Sequence, residues 1–188
     1  MKILGISGSL RADSYNTKLL RAAAELLPRE VDFEQWSDLK AVPPYDEDDD
    51  VQPGPAAVNE LKAAIAEADA VLFATPEYNA SIPGVLKNAL DWVSRPPKSS
   101  PLRNKPVAVV GASTGAFGAV WSQAELRKVL ATIGARVLDV DVAVGHADTQ
   151  FDDGGHLVDE QLQEQLGEVV AALVGEIAQI PVELAATA

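Results

Sequence analysis

The stretch GISGSLRADSYN, residues 5–16, lies between a short apolar run (residues 2–6) and a segment with helical apolar spacing (residues 17–27). This order predicts a strand, a loop and a helix. Small residues let backbone N–H groups approach an anion closely, and the N-terminus of the following helix adds a partial positive charge. The loop also carries hydrogen-bonding side chains and one guanidinium, on Ser9, Ser14, Asn16 and Arg11. The stretch therefore predicts a cradle for a phosphate monoester.

The residue types of this loop distinguish it from other phosphate-binding loops. The dinucleotide pattern G-x-G-x-x-G is absent, because Gly5 and Gly8 are too far apart and no third Gly follows. The Gly-Lys-Ser/Thr sequence of a P-loop is also absent, and the chain has no Cys to act as a phosphatase nucleophile. We therefore expect the phosphate to be held rather than cleaved. The alternative interpretation is an ordinary strand-to-helix turn with a Ser or Asn N-cap.

The composition restricts the class of protein and its partners. The chain of 188 residues is 47% apolar, which suits a single globular domain over residues 1–188. The lack of Cys excludes disulfides and Cys-ligated metal sites and fits a reducing cytoplasm. A formal net charge of −13 argues against nucleic acid and anionic membranes as partners. No apolar run approaches the roughly 20 residues of a membrane span, and no signal peptide is expected.

Strands and helices alternate along the chain, which predicts a parallel sheet covered on both faces. After the first strand, further strands are predicted at residues 31–36, 70–74, 106–112 and 137–144. Further helices are predicted to begin near Pro55 and Pro83 and to cover residues 119–133 and 159–180, with Gly134 as a left-handed cap. Five strands connected in this way favour the flavodoxin-like α/β sandwich with strand order 2-1-3-4-5.

Three loops are expected to meet at one edge of this sheet. In this strand order, ligands bind at the carboxyl ends of the strands, beside the point where the order reverses. Residues 7–16, 76–83 and 113–118 form the loops at that edge, and all are rich in Gly, Ser, Asn or Pro. The longer loop at residues 37–54 contains an acidic run, residues 46–50, which we interpret as a solvated surface rather than a metal site.

The second of these loops, which begins Pro76-Glu77-Tyr78-Asn79, has an unusual composition for a connection. Two prolines, Pro76 and Pro83, stiffen it. A rigid run of backbone N–H and C=O groups can bind the edge of a planar heterocycle, and the ring of Tyr78 can contact its face. The alternative interpretation is a Pro-bounded turn that Tyr78 anchors to the core.

Two long motifs in the correct order resemble the signatures of the NAD(P)H-dependent FMN reductase family. Residues 8–16 (GSLRADSYN) resemble its phosphate-binding signature. Residues 76–79 (PEYN), continuing through PGVLKNALDW at residues 83–92, resemble its second signature. The similarity extends to residues 111–118 and to Phe151, Asp152 and Gly155, and thus covers nearly the whole chain.

The resemblance implies a flavodoxin-like fold that binds FMN, uses NADPH or NADH as co-substrate, and forms a homodimer or homotetramer. Carried over by position, contacts at the phosphate end fall on Ser9, Arg11, Ser14 and Asn16, with Tyr15 among the cofactor-binding residues. Contacts with the isoalloxazine ring, largely from the main chain, fall on Pro76, Glu77, Tyr78 and Asn79, and the ring and ribityl chain are bordered by Ser113 and Gly115.

The implied activity is hydride transfer from nicotinamide through FMN to a small acceptor, such as a flavin, quinone, azo compound or chromate. If one exposed flavin face serves both partners in turn, the kinetics are ping-pong. No side chain is assigned as an acid or base, and His146 and His156 are expected at the surface or in a subunit contact. Two alternatives remain: a flavodoxin-type FMN electron carrier without nicotinamide activity, and a phosphate-ester binder without flavin.

Overall fold

The computed structural model describes residues 1–179, whose strands pair in parallel in one sheet. The strands are β1 (Lys2–Ser7), β2 (Asp32–Trp36), β3 (Ala70–Thr75), β4 (Pro106–Ala112), β5 (Arg136–Val137) and β6 (Ala143–Val144). The helices are α1 (Tyr15–Glu25), α2 (Ala56–Glu67), α3 (Gly84–Val93), α4 (Val120–Ile133) and α5 (Glu160–Ala178). Short 3-10 turns cover Asp38–Ala41, Glu47–Asp49 and Pro97–Ser99.

The strand order is β2-β1-β3-β4-β5, with β6 also paired to β4. β4 contacts β3 along one side, and β5 and β6 share its other side. The predicted order and the flavodoxin-like α/β class are therefore confirmed. This order places the reversal point between β1 and β3, so that the loops after these strands lie beside each other.

The prediction of one continuous strand over residues 137–144 is wrong. The backbone pairs with β4 only at its two ends, as β5 and β6. Between them, Nη2 of Arg127 on α4 donates to the carbonyl oxygens of Val109 (3.2 Å) and Val140 (2.9 Å). The guanidinium thus bridges the gap where ladder hydrogen bonds would otherwise form. The alternating pattern of this segment does not reveal the gap, because the bridging group comes from a helix elsewhere in the chain.

Two apolar layers enclose the sheet. Helices α1 and α5 cover the face that carries Ile3 and Leu72, and helices α2, α3 and α4 cover the face that carries Leu4 and Phe73. Every residue of β3 and β4 is buried, as expected for the central strands of a parallel sheet. Burying one Leu or Phe side chain in these layers stabilises the fold by about 1.5–3 kcal/mol. This rigid sheet is the platform for the loops at its carboxyl edge.

The long loop between β2 and α2 is held by α3. The carbonyl oxygen of Pro43 accepts hydrogen bonds from Asn88 Nδ2 (2.8 Å) and Trp92 Nε1 (2.9 Å). Asn88 Oδ1 accepts from the backbone N–H of Tyr45 at 2.7 Å, and the Tyr45 ring packs edge-on against Trp92. Beyond this anchor, the acidic run at residues 46–50 is largely exposed to solvent.

The ends of the last two helices follow the sequence signals. Gly134 caps α4 with a φ of 100°, as predicted. Asp159 is the N-cap of α5, where its carboxylate accepts from the Leu162 N–H at 3.0 Å. The predicted extension of this helix to Ile180 lies outside the described residues. None of the helices within residues 1–179 combines the length and the apolar character needed to cross a membrane.

Candidate functional site

The three predicted loops meet at the carboxyl edge of the sheet, where they line a cleft of about 140 Å³. Most of the predicted site residues line it, namely Ser9, Arg11, Ser14, Tyr15, Asn16, Pro76, Glu77, Tyr78 and Ser113. Ala112 and Thr114 also line it, although the sequence patterns did not single them out. Asn79 and Gly115 lie on the same loops but do not line the cleft.

One end of the cleft is the N-terminus of α1. Ser14 is the N-cap, with its backbone extended and its Oγ accepting from the Thr17 N–H at 3.3 Å. The N–H groups of Tyr15 and Asn16 begin the helix and therefore have no intrahelical acceptor. The exposed guanidinium of Arg11 lies on the loop beside them. This end of the cleft, the phosphate end, has the donors and the positive charge that a phosphate monoester requires.

Asn16 has a structural role that its sequence motif does not reveal. Its amide side chain is buried and makes two hydrogen bonds to the end of β4, donating to the Ala112 carbonyl (2.9 Å) and accepting from the Ala112 N–H (3.0 Å). The side-chain amide is therefore committed to the protein, and a contact with phosphate falls to the backbone N–H of Asn16. The same bonds join the first loop to the strand that leads into the third.

The Tyr15 ring contacts a second aromatic ring and two cations. Phe151 stacks on it with ring centroids 5.9 Å apart and an interplanar angle of 19°. Arg11 and Lys18 lie over the ring, at 5.8 Å and 5.3 Å from its centroid. Lys18 Nζ also contacts Asp13 at 2.7 Å, and its hydrogen bond and charge lower the pKa of that carboxyl. The packing of Tyr15 thus keeps Arg11 near the phosphate end.

The second loop is closed by a two-residue hairpin turn. Tyr78 and Ser81 exchange both backbone hydrogen bonds, at 3.0 and 3.1 Å. The central residues, Asn79 and Ala80, have positive φ values of 55° and 59°, which is the backbone of a type I′ turn. Because the N–H and C=O of Tyr78 are both used in this turn, recognition of a planar ring by the backbone of this loop falls to Glu77, which lines the cleft, and not to Asn79, which does not.

Buried hydroxyls join the start of this loop to α4. The Pro76 carbonyl oxygen lies 2.8 Å from Thr75 Oγ1 and 2.9 Å from Ser122 Oγ, and the two hydroxyls are 2.9 Å apart. Both hydroxyls are placed to donate to the carbonyl, and because they have two protons between them, only two of these three contacts are hydrogen bonds at any one time. Thr75 and Ser122 are both fully buried. The Pro76 carbonyl is thereby fixed towards α4.

The carboxylate of Glu77 completes this connection, which we call the ring-loop latch (Thr75, Pro76, Glu77 and Ser122). Its Oε2 accepts from the backbone N–H groups of Trp121 and Ser122, each at 3.1 Å. The carboxylate therefore caps the N-terminus of α4, where a negative charge is favourable. Ala119, the N-cap residue itself, makes no side-chain bond to this helix end. Sequence reasoning placed Glu77 at the ring through its main chain, and the role of its side chain became visible only with α4 in position.

The third loop is held by the segment that follows β6. The Ser113 N–H donates to Val144 at 3.0 Å, and the Ser113 carbonyl accepts from the Ala147 N–H at 3.1 Å. The Gly115 carbonyl accepts from His146, also at 3.1 Å, while Ser113 Oγ accepts from the Gly115 N–H at 3.2 Å. Both backbone groups of Gly115 are thus used within the protein and are not free to bind a ligand.

A close contact between the first two loops depends on Gly8. A Cβ atom at this position would lie 3.0 Å from Leu86 Cδ2 and 3.3 Å from Pro76 Cδ. The Gly8 N–H also donates to the Ala74 carbonyl at 2.8 Å, which continues the β1–β3 pairing into the loop.

Within the described residues, no group of three or more His, Asp or Glu side chains is arranged to hold a metal ion.

Residues 1–149 match the family model described as NADPH-dependent FMN reductase. An NAD(P)H-dependent FMN reductase of Pseudomonas aeruginosa is 43% identical over 174 residues, which cover 92% of this chain and 93% of that protein. A 2-hydroxy-1,4-benzoquinone reductase of Burkholderia sp. is 40% identical over 167 residues, 88% of this chain and 90% of that protein.

The fold is also similar to that of FerB, a flavoenzyme NAD(P)H:(acceptor) oxidoreductase from Paracoccus denitrificans. The two structures superpose with a TM-score of 0.84 at 34% sequence identity. The match covers 95% of this chain and 97% of the FerB chain. The similarity therefore includes the loops of the cleft as well as the sheet.

Proposed function

The chain belongs to the NADPH-dependent FMN reductase family, and we propose that it is an FMN-dependent enzyme that transfers reducing equivalents from NAD(P)H to a small acceptor. The observation that carries this proposal is the division of one cleft into two kinds of binding surface. One end is a helix N-terminus beside Arg11, and the other is a rigid backbone wall formed by the second and third loops. These two surfaces fit the phosphate and the flat ring of one molecule.

The residues present fit FMN at both ends. At the phosphate end, Arg11, the Ser9 hydroxyl and the first N–H groups of α1 supply donors to a phosphate dianion. At the ring end, the ring-loop latch holds the backbone beside Glu77 rigid. The transfer of reducing equivalents through a flavin needs no acid or base from the protein, so no covalent or acid–base step is assigned to a side chain. The task of the protein is to bind and orient the flavin.

The chemistry that bound FMN supplies is two-electron transfer: a hydride is taken from the nicotinamide and a proton from solvent, and both are passed to the acceptor. A quinone acceptor leaves as a hydroquinone, and NADPH leaves as NADP⁺. We propose that the two partners use one face in turn, because Tyr78 is half-exposed beside an open edge of the cleft. This arrangement predicts ping-pong kinetics.

The acceptor class follows from the named relatives. One relative is named as an FMN reductase and another as a benzoquinone reductase, so we propose quinones and free flavin as acceptors. Azo compounds and chromate are further candidates from the family resemblance.

We further propose one domain over residues 1–188 and a homodimer or homotetramer in the cytoplasm. The Cys-free composition supports the location, since it suits a reducing compartment.

Anaerobic reduction of the FMN-loaded protein tests this function. Addition of NADPH or NADH should bleach the yellow flavin absorbance, and a quinone should then restore it. Initial rates at several quinone concentrations should give parallel double-reciprocal lines. If FMN binds but stays oxidised with both nucleotides, the chain is an electron carrier rather than a reductase. If it does not bind FMN at all, the phosphate-ester alternative is favoured.

A further inference from the structure

The segment between β6 and α5 folds back on itself as a hairpin, residues 150–158, which we call the late hairpin. The Gln150 carbonyl accepts a hydrogen bond from the Val158 N–H at 3.1 Å. Inside this closure, Phe151 pairs with Leu157 in an isolated antiparallel bridge. The backbone on both sides of Phe151 is therefore tied to the opposite arm of the hairpin, which fixes the position from which its side chain starts.

The late hairpin is anchored to the helices on either side of it. Leu157 is buried in the apolar layer that α1 and α5 cover, and its carbonyl oxygen accepts from Gln163 Nε2 on α5 at 2.6 Å. At the tip, a Cβ atom placed on Gly155 would lie 3.5 Å from Lys18 Cγ, so the tip packs against α1. The hairpin thus joins α5 to the first turns of α1, where the phosphate end of the cleft lies.

Phe151 meets the phosphate end through one neighbour, Tyr15. The two rings are stacked, with centroids 5.9 Å apart and an interplanar angle of 19°, and both are half-buried against the same apolar layer. Tyr15 lines the cleft, whereas Phe151 does not. An effect of Phe151 on a ligand in the cleft therefore passes through the orientation of the Tyr15 ring.

The Tyr15 ring in turn contacts the cation that lines the cleft. The guanidinium carbon of Arg11 lies 5.8 Å from the ring centroid, within the range of a cation–π contact. Lys18 also lies over the ring, but its ammonium is paired with Asp13 and it does not line the cleft. The position of the Tyr15 ring therefore matters to a ligand mainly through Arg11.

The Arg11 side chain has few other restraints. It is exposed, and within residues 1–179 no Asp or Glu oxygen lies within 4.0 Å of its guanidinium nitrogens. A long, exposed side chain loses conformational freedom when it binds a ligand, which reduces the affinity that its charge provides. A ring that already holds the guanidinium at the phosphate end lowers this cost.

We propose that Phe151 is a positioning residue for the cofactor and sets the preference of the cleft for FMN over riboflavin. Its ring fixes the Tyr15 ring, and the Tyr15 ring keeps the Arg11 guanidinium at the phosphate end. Riboflavin has no phosphate and gains nothing from this arrangement. The proposal rests on the proposed function, because it takes FMN as the occupant of the cleft.

Flavin titrations of the full-length, FMN-free protein test this role without measuring turnover. Phe151→Leu keeps an apolar side chain but removes the ring, so the Kd for FMN should rise about fivefold while the Kd for riboflavin stays unchanged. Phe33→Leu is the matched control and should change neither Kd. Phe33 is also half-buried against this apolar layer, but it pairs with Ile3 at the start of β1, away from the first loop. An equal rise for both flavins in Phe151→Leu would make Phe151 a packing residue and overturn the proposal.

A double variant tests the route through Arg11. In the Arg11→Ala background, Phe151→Leu should have no further effect on the Kd for FMN, because the group that it positions is gone. A loss of FMN affinity that persists in this background would show that Phe151 acts elsewhere and would overturn the proposal. Phe151→Ile has a branched side chain that suits the paired backbone of the bridge. It should repeat both results, and it replaces Phe151→Leu if that variant does not fold.

Failure of the proposed function has a different signature. The parent protein would then bind no FMN, or it would bind FMN that neither NADPH nor NADH bleaches, and in the second case the titrations still test Phe151. A parent protein that binds and bleaches FMN, together with a Phe151→Leu variant that matches its affinity for FMN, would overturn the positioning role alone.

Discussion

The two ends of the cleft are built on different principles. At the phosphate end, the groups available to a ligand are an exposed guanidinium, hydroxyls and a helix N-terminus. At the ring end, the contacts are backbone groups held in place by the buried hydroxyls of Thr75 and Ser122. The first end binds by charge, and the second by shape. Substitutions that remove charge should therefore change affinity alone, whereas substitutions in the latch should change affinity and stability together.

Asn16 provides the largest expected exception to this division, because it lies at the phosphate end yet supports the fold. Asn16→Ala removes both hydrogen bonds to Ala112 and leaves a buried N–H and C=O unpaired. We expect the free energy of unfolding in urea to fall by about 2–4 kcal/mol. Asn59→Ala is the control, because its side chain makes one exposed bond, to Gly54. Equal losses in the two variants would show that the link between the first loop and β4 is unimportant.

Arg11→Ala tests the phosphate end directly. Loss of a charge-assisted contact should weaken FMN binding by about 1.5–3 kcal/mol, or roughly tenfold or more. The urea midpoint of the FMN-free protein should not change, because the side chain is exposed. Added salt should weaken FMN binding more in the parent protein than in the variant. Arg21→Ala keeps the same net charge as Arg11→Ala, and an equal loss of affinity there would assign the effect to overall charge.

Ser122→Ala tests the ring end. Without this hydroxyl, the Pro76 carbonyl keeps one donor, Thr75, and loses its link to α4. We expect the free energy of unfolding to fall by about 1 kcal/mol and the Kd for FMN to rise roughly fivefold. Ser94→Ala removes another helix-end hydroxyl, one that donates to Asp91, and should leave the Kd unchanged. A Ser122 variant that loses stability while keeping full affinity would separate the latch from the ring site.

Patterns local to one segment predicted most of the fold. The continuous apolar runs of β3 and β4 and the glycine cap at Gly134 needed no knowledge of distant residues. The break between β5 and β6 could not be predicted in this way, because it depends on Arg127 reaching from α4 to Val109 and Val140. A side chain that replaces ladder hydrogen bonds leaves no periodic signal in the strand it interrupts.

The candidate site shows the same limit. The two signatures indicated which loops form the cleft, and the structure brings most of their residues together. They did not indicate that the side chains of Asn16 and Glu77 bind the protein itself, because Ala112 and α4 are remote in sequence. Ser122 was not singled out, because a buried Ser in a helix has no distinctive pattern. Loop residues are thus easier to predict than the side chains that hold the loops in place.

The smallest expected effect is a pH-dependent change in melting temperature, and it concerns the loop that contains Phe151, whose ring stacks on Tyr15 at the phosphate end. Phe151 pairs with Leu157 in an isolated bridge, and Asp152 Oδ1 accepts from the His156 N–H at 2.9 Å. The His156 ring lies 3.1 Å from Asp152 Oδ2 and 3.8 Å from Glu25 Oε1. Hydrogen bonding to Asp152, and then the charges of Asp152 and Glu25, raise the pKa of His156 above its ordinary value of 6.5. The hydrogen bonds from His156 lower the pKa of Asp152 below 3.8.

The signs of these shifts define a pH window. A raised His pKa stabilises the fold fully below pH 6.5 and loses its effect as the pH rises through the raised value, whereas a lowered Asp pKa stabilises it above pH 3.8. His156→Gln should therefore lower the melting temperature most between pH 3.8 and pH 6.5, and less in alkaline buffer. His146→Gln is the control, because His146 has no carboxylate within 4.0 Å in the described part of the chain. A deficit in His156→Gln that is constant with pH would mean that the loop is held by its backbone bonds, and that Phe151 stays against Tyr15 without the charge pair.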